Sequence, residues 1–138
     1  MTTTAAPVVL LSVRSPHVDR LLAGTKTIEF RRRRWNVPDG TRVLLYGSRQ
    51  QQGSVGSIVV EATQVGSRTA MWDRYGPASG LTRQEFRGYF TSADVAVAIK
   101  VSSPRKLTEP LTLGELRRRS PGFHVPQSYR FIQADELG

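Results

Sequence analysis

The segment Gly24-Thr25-Lys26-Thr27-Ile28-Glu29-Phe30-Arg31-Arg32-Arg33-Arg34-Trp35 gathers a lysine, a glutamate, a run of arginines and a tryptophan. A lysine beside a carboxylate in a cleft makes a tuned acid–base pair, because each charge moves the other's proton affinity. The same two residues on an open surface make an ordinary structural salt bridge. Lys26, Glu29 and Glu61 are therefore candidate catalytic residues, with the structural salt bridge as the alternative. Arg31, Arg32, Arg33 and Arg34 are candidate nucleic-acid-binding residues. The planar guanidinium meets phosphate bidentately and stacks on bases, which an ammonium does not. Trp35 and Tyr46 complete that set as stacking surfaces for unpaired bases, with plain core packing as their alternative. Arg117, Arg118 and Arg119 either extend a basic face or form a solvated helix end.

These side chains need elements to hold them. In a strand, Ile28 and Phe30 share one face while Glu29, Arg31, Arg33 and Trp35 share the other. A strand from Thr25 to about Arg33 that buries its apolar face fixes its arginines on a rigid frame. Upstream, the β-branched run Val8 to Val13 reads as a buried strand. Ser15 then caps a helix with Pro16 at its first position, Val18, Leu21 and Leu22 facing inward, and Gly24 at the C-cap.

Downstream, Val37-Pro38-Asp39-Gly40 is a turn, and Arg42 to Tyr46 is a strand. Residues 49–54 are a polar, mobile loop. Val55 to Val65 is a strand whose glycines mark bends. Ser67 to Tyr75 is a helix with Met71 and Trp72 as buried anchors, and Gly76 to Gly80 is a loop. Thr82 and Glu85 have capping-box spacing, and the helix they open carries Phe86, Tyr89 and Phe90 on a core face. Val95 to Val101 is a strand, beyond which Pro104, Pro110, Pro121 and Pro126 punctuate the chain. Thr112 to Arg119 is a short helix, and Tyr129 to Ile132 a last strand. Single helices and turns separate the strands. The expected fold is α+β, a small, mostly antiparallel barrel with flanking helices.

Composition narrows the partners. The chain has 138 residues, with 20 Lys+Arg against 11 Asp+Glu and a formal net charge of +9. One domain with one core suits that length, after a disordered tail over residues 1–7. The positive balance points to a polyanion, nucleic acid first. There is no cysteine, so disulfides, thiolate metal sites and cysteine nucleophiles are excluded. His17 and His124 are too few for a histidine-rich metal site. No Gly-rich phosphate loop, zinc signature or Gly-x-Ser-x-Gly elbow is present; no metal and no cofactor are expected. No apolar run reaches the roughly 20 residues of a membrane span, and the first residues lack the regions of a signal peptide. A cytoplasmic protein without a membrane partner is expected.

Leu10 to Arg32 resembles the opening of ASCH domains, of the PUA-like superfamily. The motif is a strand, a helix ending in glycine, then Gly-x-Lys-x-x-Glu-x-Arg, carried here by Gly24, Lys26, Glu29 and Arg31. Leu44-Leu45-Tyr46, Gly56-Ser57-Ile58, Phe86 to Phe90 and Pro126 to Phe131 fit the same plan, so the resemblance spans residues 8–138. It implies a PUA-like β-barrel with a cleft at that motif and a role in binding nucleic acid, RNA above DNA. Regulation of RNA processing, transcription or translation follows from it.

The resemblance also implies an alternative, a hydrolase with Lys26 central. Some relatives are ribonucleases, for which Lys26, Arg31 and Tyr46 suit the acid, base and cationic roles. Another branch hydrolyses N4-acetylcytidine with a lysine, a threonine and a later glutamate. Lys26 and Glu61 match two of these, but Glu29 stands at the threonine position.

Overall fold

The computed structural model describes residues 7–33, 35–48, 53–91 and 93–132. The expectations for residues 1–6, for Arg34 and for most of the 49–54 loop lie outside these. The elements run β1 (Val8–Arg14), α1 (His17–Ala23), β2 (Ile28–Arg31), β3 (Arg42–Ser48), β4 (Gly53–Ser67) and α2 (Arg68–Tyr75). A 3-10 turn (Gly76–Ser79), α3 (Arg83–Tyr89), β5 (Val95–Thr112), α4 (Leu113–Arg119) and β6 (Tyr129–Ile132) follow. No described helix is long and apolar enough to cross a membrane.

The fold is α+β, but the sheet is open rather than closed into the expected barrel. Its strand order is β2-β5-β4-β3-β1-β6, so among the described residues β2 and β6 are the edge strands. All neighbours are antiparallel except β1 and β3, which run parallel. Parallel strands need a crossover, and the chain between them carries α1 and β2. That crossover places the Lys26 segment at the mouth of the sheet.

Strand alternation divides the core. Val9, Leu11 and Val13 of β1 enter one cluster with Val18 and Leu21 of α1, Val43, Leu45 and Ile58. Val8 and Leu10 enter a second with Leu116 of α4, Phe123 and Ile132. A third cluster joins Ile28 and Phe30 of β2 to Met71 of α2, Phe86 and Phe90 of α3, and Ala96 and Ala98 of β5. Glycine is required at Gly56, where a Cβ would collide with Leu22 and the Arg105 carbonyl.

The helix ends follow their capping chemistry. Thr82 and Glu85 form the complete capping box, and Ser67 and Thr112 accept the Ala70 and Glu115 N–H groups at the starts of α2 and α4. Two local expectations are corrected. Pro16 is itself the N-cap of α1, and no side chain caps that helix, so Ser15 does not. The β2 strand is only Ile28–Arg31, shorter than the Thr25–Arg33 expected.

The strand expected at Val95–Val101 runs on to Thr112, through Pro104 and Pro110. The β4–β5 register shifts three times along the pair, and Ser103 takes a φ of 53° immediately before Pro104. Bulges accommodate a residue that has no N–H to give to the ladder.

Candidate functional site

The αL glycine that ends α1 turns the chain back on itself; Gly24 has a φ of 78°. Lys26 then donates its backbone N–H to the Arg20 carbonyl at 3.1 Å and drives its side chain inward, 1% exposed. Its Nζ donates to the Ser79 carbonyl and lies 3.3 Å from Glu29 Oε1. Glu29 Oε2 is 2.7 Å from Arg31 Nη2, and that guanidinium also donates to the Ser12 carbonyl at 3.2 Å. A buried chain of charge thus ties the turn after α2, β2 and the end of β1 together. The alternation of β2 makes this possible, since Ile28 and Phe30 pack into the third cluster while Glu29 and Arg31 point away from it.

The trio sits under a cleft of about 740 Å³. Arg14 and His17 line one side, Arg31, Arg32 and Arg33 another, and Leu81 with Glu85 and Tyr89 of α3 a third. The segment Val125 to Ser128 closes the rest. It is pinned to β1, because Ser12 Oγ donates to the Pro126 carbonyl at 2.7 Å and Ser12 N–H to the Ser128 carbonyl at 3.0 Å. Arg32 bonds the Tyr89 carbonyl at 3.2 Å and lies over the Tyr89 ring, 5.0 Å from its centroid. The two carboxylates of the wall are already committed, Glu29 to Lys26 and Arg31, and Glu85 to the Thr82 capping box. Arg14, Arg32 and Arg33 are exposed cations at the rim.

Burial and charge set the proton affinities. Burial holds the Lys26 ammonium below its usual value, against the pull of Glu29. Burial also pushes Glu29 up, yet Arg31 and Lys26 together outweigh it and leave the carboxyl below the ordinary range. His17 is lowered by burial and by Lys26, which favours a neutral imidazole. His17 Nδ1 and Arg31 Nε are buried with no hydrogen-bond partner among the described residues.

A lowered Glu29 means that the unfolded chain binds more protons in acid. Its stabilising contribution is complete above the usual carboxylate value of about 4.5 and is lost as pH falls through the lower folded value. Urea unfolding from pH 6 downward should show stability dropping below that point, with a shallower drop in Glu29→Gln.

The structure brings together part of the sequence-predicted set. Lys26, Glu29, Arg31, Arg32 and Arg33 meet at the cleft; Arg34 lies outside the described residues. Glu61 does not join them. It sits half-exposed on β4, paired with Lys100 at 3.6 Å, and is absent from the cleft wall. It falls at the β4–β5 register shift between Val60 and Ala62.

Trp35 and Tyr46 are not stacking surfaces in this conformation. Trp35 is buried in the first cluster, its ring 4.6 Å from that of Tyr129. Tyr46 is buried in the second cluster, where burial raises its phenol. The expected core face of α3 holds for Phe86 and Phe90, whereas Tyr89 is half-buried and forms part of the wall. Sequence reasoning also missed His17 and Gln127–Ser128. The one available signal for His17 was its place directly after the strand-ending Arg14-Ser15-Pro16. Among the described residues no group of three His, Asp or Glu side chains converges as a metal site.

The open mixed sheet and the buried Gly-x-Lys-x-x-Glu-x-Arg motif at its mouth are those of an ASCH domain of the PUA-like type. The chain belongs to the family described as a domain of unknown function (DUF365), which matches residues 7–119. It is similar to an ASCH domain-containing ribonuclease of Zymomonas mobilis, with 29% identity over 116 residues, covering 84% of this chain and 78% of that one. The crystal structure of ASCH from Zymomonas mobilis superposes with a TM-score of 0.88 at 27% identity, covering 93% of this chain and 89% of that chain. Human THYN1, solved with DNA containing 5-methylcytosine, shares the fold at a TM-score of 0.59 and 12% identity, covering 96% of this chain and 94% of that chain.

Proposed function

We propose that this protein binds nucleic acid in the Lys26 cleft, and that the preferred ligand is an unpaired stretch of RNA. The observation that carries this reading is the rim of Arg14, Arg32 and Arg33 above a wall whose buried carboxylate, Glu29, is paired with Lys26 and Arg31. Such a rim attracts phosphate, its three cations outnumbering Glu85, the one exposed carboxylate of the wall. Arginine over Tyr89 offers a flat, cationic surface suited to an unstacked base. The Zymomonas mobilis relative is named a ribonuclease, and THYN1 was solved on DNA; both facts belong to those proteins and lend support by similarity.

Cleavage of RNA is the second reading, favoured by the name of that relative and by His17. Attack of a 2′-hydroxyl on the adjacent phosphorus needs a base for its proton, cationic stabilisation of the extra negative charge, and an acid for the departing 5′-oxygen. A neutral His17 suits the base that takes the 2′-hydroxyl proton, Arg31 the stabiliser, and solvent water in the cleft the donor that protonates the departing 5′-oxygen. The amidohydrolase reading has lost its carboxylate, since Glu61 is remote from the wall.

Incubation with a labelled mixed-sequence RNA at low salt, followed for both mobility and integrity, tests the two readings. Retardation is expected, and it should fall steeply with salt as counterions are released. In Arg14→Ala/Arg33→Ala the slope of log affinity against log salt should be shallower by about 1.4, at about 0.7 per lost single-strand phosphate contact. An unchanged slope would remove the rim from the interface. Loss of cleavage in His17→Ala, with retardation retained, would establish the ribonuclease.

A further inference from the structure

A second basic groove lies on the opposite flank of α3. It has a volume of about 360 Å³, and its wall includes Arg68, Arg83, Arg87, Trp72, Phe86 and Phe90. Helical spacing explains the separation. Glu85 and Tyr89, four apart, face the Lys26 cleft, whereas Arg83 and Arg87, also four apart, face the groove. Helix α3 is therefore a ridge with a binding surface on each side.

The two surfaces meet at the C-terminal end of that ridge. Arg32, from the cleft, donates to the Tyr89 carbonyl, and Arg68, from the groove, donates to the Phe90 carbonyl at 2.9 Å. Consecutive carbonyls thus hold one guanidinium from each side of the ridge.

The groove is charged in a way that packing does not account for. Arg83 and Arg87 are exposed and form no ion pair among the described residues. Like charges at i and i+4 destabilise a helix. Among the described residues Arg68 meets a neutral carbonyl and no carboxylate. Trp72 is half-buried beside them. Its ring is set by Phe86, 4.9 Å away, and by Gly76, where a Cβ would lie 2.8 Å from the indole. Three cations around a fixed aromatic surface match a phosphodiester backbone with an unstacked base.

We infer that the Arg68–Arg83–Arg87–Trp72 groove is a second binding site, which takes the flanking phosphates and one base of the same single strand whose central nucleotides occupy the Lys26 cleft. This rests on the nucleic-acid reading above and adds to it a path and a length. A trinucleotide satisfies the cleft, and only a longer strand crosses α3. The groove therefore contributes affinity that depends on ligand length.

The test compares a trinucleotide and a 12-nucleotide RNA on the full chain and on Arg83→Ala/Arg87→Ala, both side chains being exposed and outside the core. The variant should bind the 12-mer about tenfold more weakly at low salt, with a slope shallower by about 1.4, and bind the trinucleotide as before. Emission supplies a second readout. The protein has two tryptophans, so in Trp35→Phe the signal comes from Trp72. The 12-mer should quench it, and the trinucleotide should not. Unchanged 12-mer affinity in the double variant would overturn the second site, as would equal losses for both lengths. Quenching by anionic vesicles but not by the 12-mer would assign the groove to a membrane surface and overturn it too. Failure of the unsubstituted protein to bind either RNA would instead overturn the nucleic-acid reading itself.

Discussion

Glu29→Gln should lower the unfolding free energy by about 3–5 kcal/mol, the usual consequence of removing one member of a buried ion pair. Glu29 is only 8% exposed and is the shared counter-charge of two cations, at 3.3 Å from Lys26 and 2.7 Å from Arg31. Without it the two positive groups face each other in a poorly solvated space. Lys26 can relieve the strain by releasing its proton, toward which burial already biases it, but a guanidinium cannot. Lys26→Met should therefore cost less than Glu29→Gln, because Glu29 keeps Arg31. Adding Lys26→Met to Glu29→Gln should recover part of the loss. Urea unfolding of the three variants closes the cycle. A loss under 1 kcal/mol in Glu29→Gln would mean that water reaches the trio and screens it.

Phe30→Ala should cost about 3–5 kcal/mol, as for other buried phenylalanines truncated to alanine. Phe30 is 3% exposed and packs edge-on against Phe86 at 4.9 Å and Phe90 at 6.2 Å. The effect reaches beyond stability. β2 is a four-residue edge strand that, among the described residues, pairs with β5 alone, so Phe30 and Ile28 are the apolar anchors that hold Glu29 and Arg31 in place. Loosening them should also weaken RNA retardation, more than in a core variant of matched stability loss on the α4 side, such as Leu116→Ala. Equal retardation at equal stability loss would show that the strand keeps its place through the charge trio.

The contrast between these two sites shows what local sequence carries. Period-two alternation in Ile28-Glu29-Phe30-Arg31 assigns the apolar pair to the core and the charged pair to one common side. The Thr82 capping box and the left-handed Gly24 are likewise visible because each depends on neighbours within four residues. The Gly-x-Lys-x-x-Glu-x-Arg resemblance placed the cleft, and the chain's positive charge proposed its partner.

What the sequence determined on its own was local periodicity, caps, charge and the motif's identity. Tertiary structure decided the remainder, because it turns on long-range competition for burial. Trp35 and Tyr46 lay close to the arginines in sequence, yet burying a large aromatic is worth more than exposing it, and each went to a different cluster. Glu61 pairs with Lys100 on the neighbouring strand, outside the cleft wall, and residues 125–128 are held at the cleft by two hydrogen bonds from Ser12. The sheet stayed open because β2 and β6, four residues each, end as opposite edges. None of these outcomes has a signature within one turn or one strand of the residues concerned; each depends on which distant surfaces exclude water together.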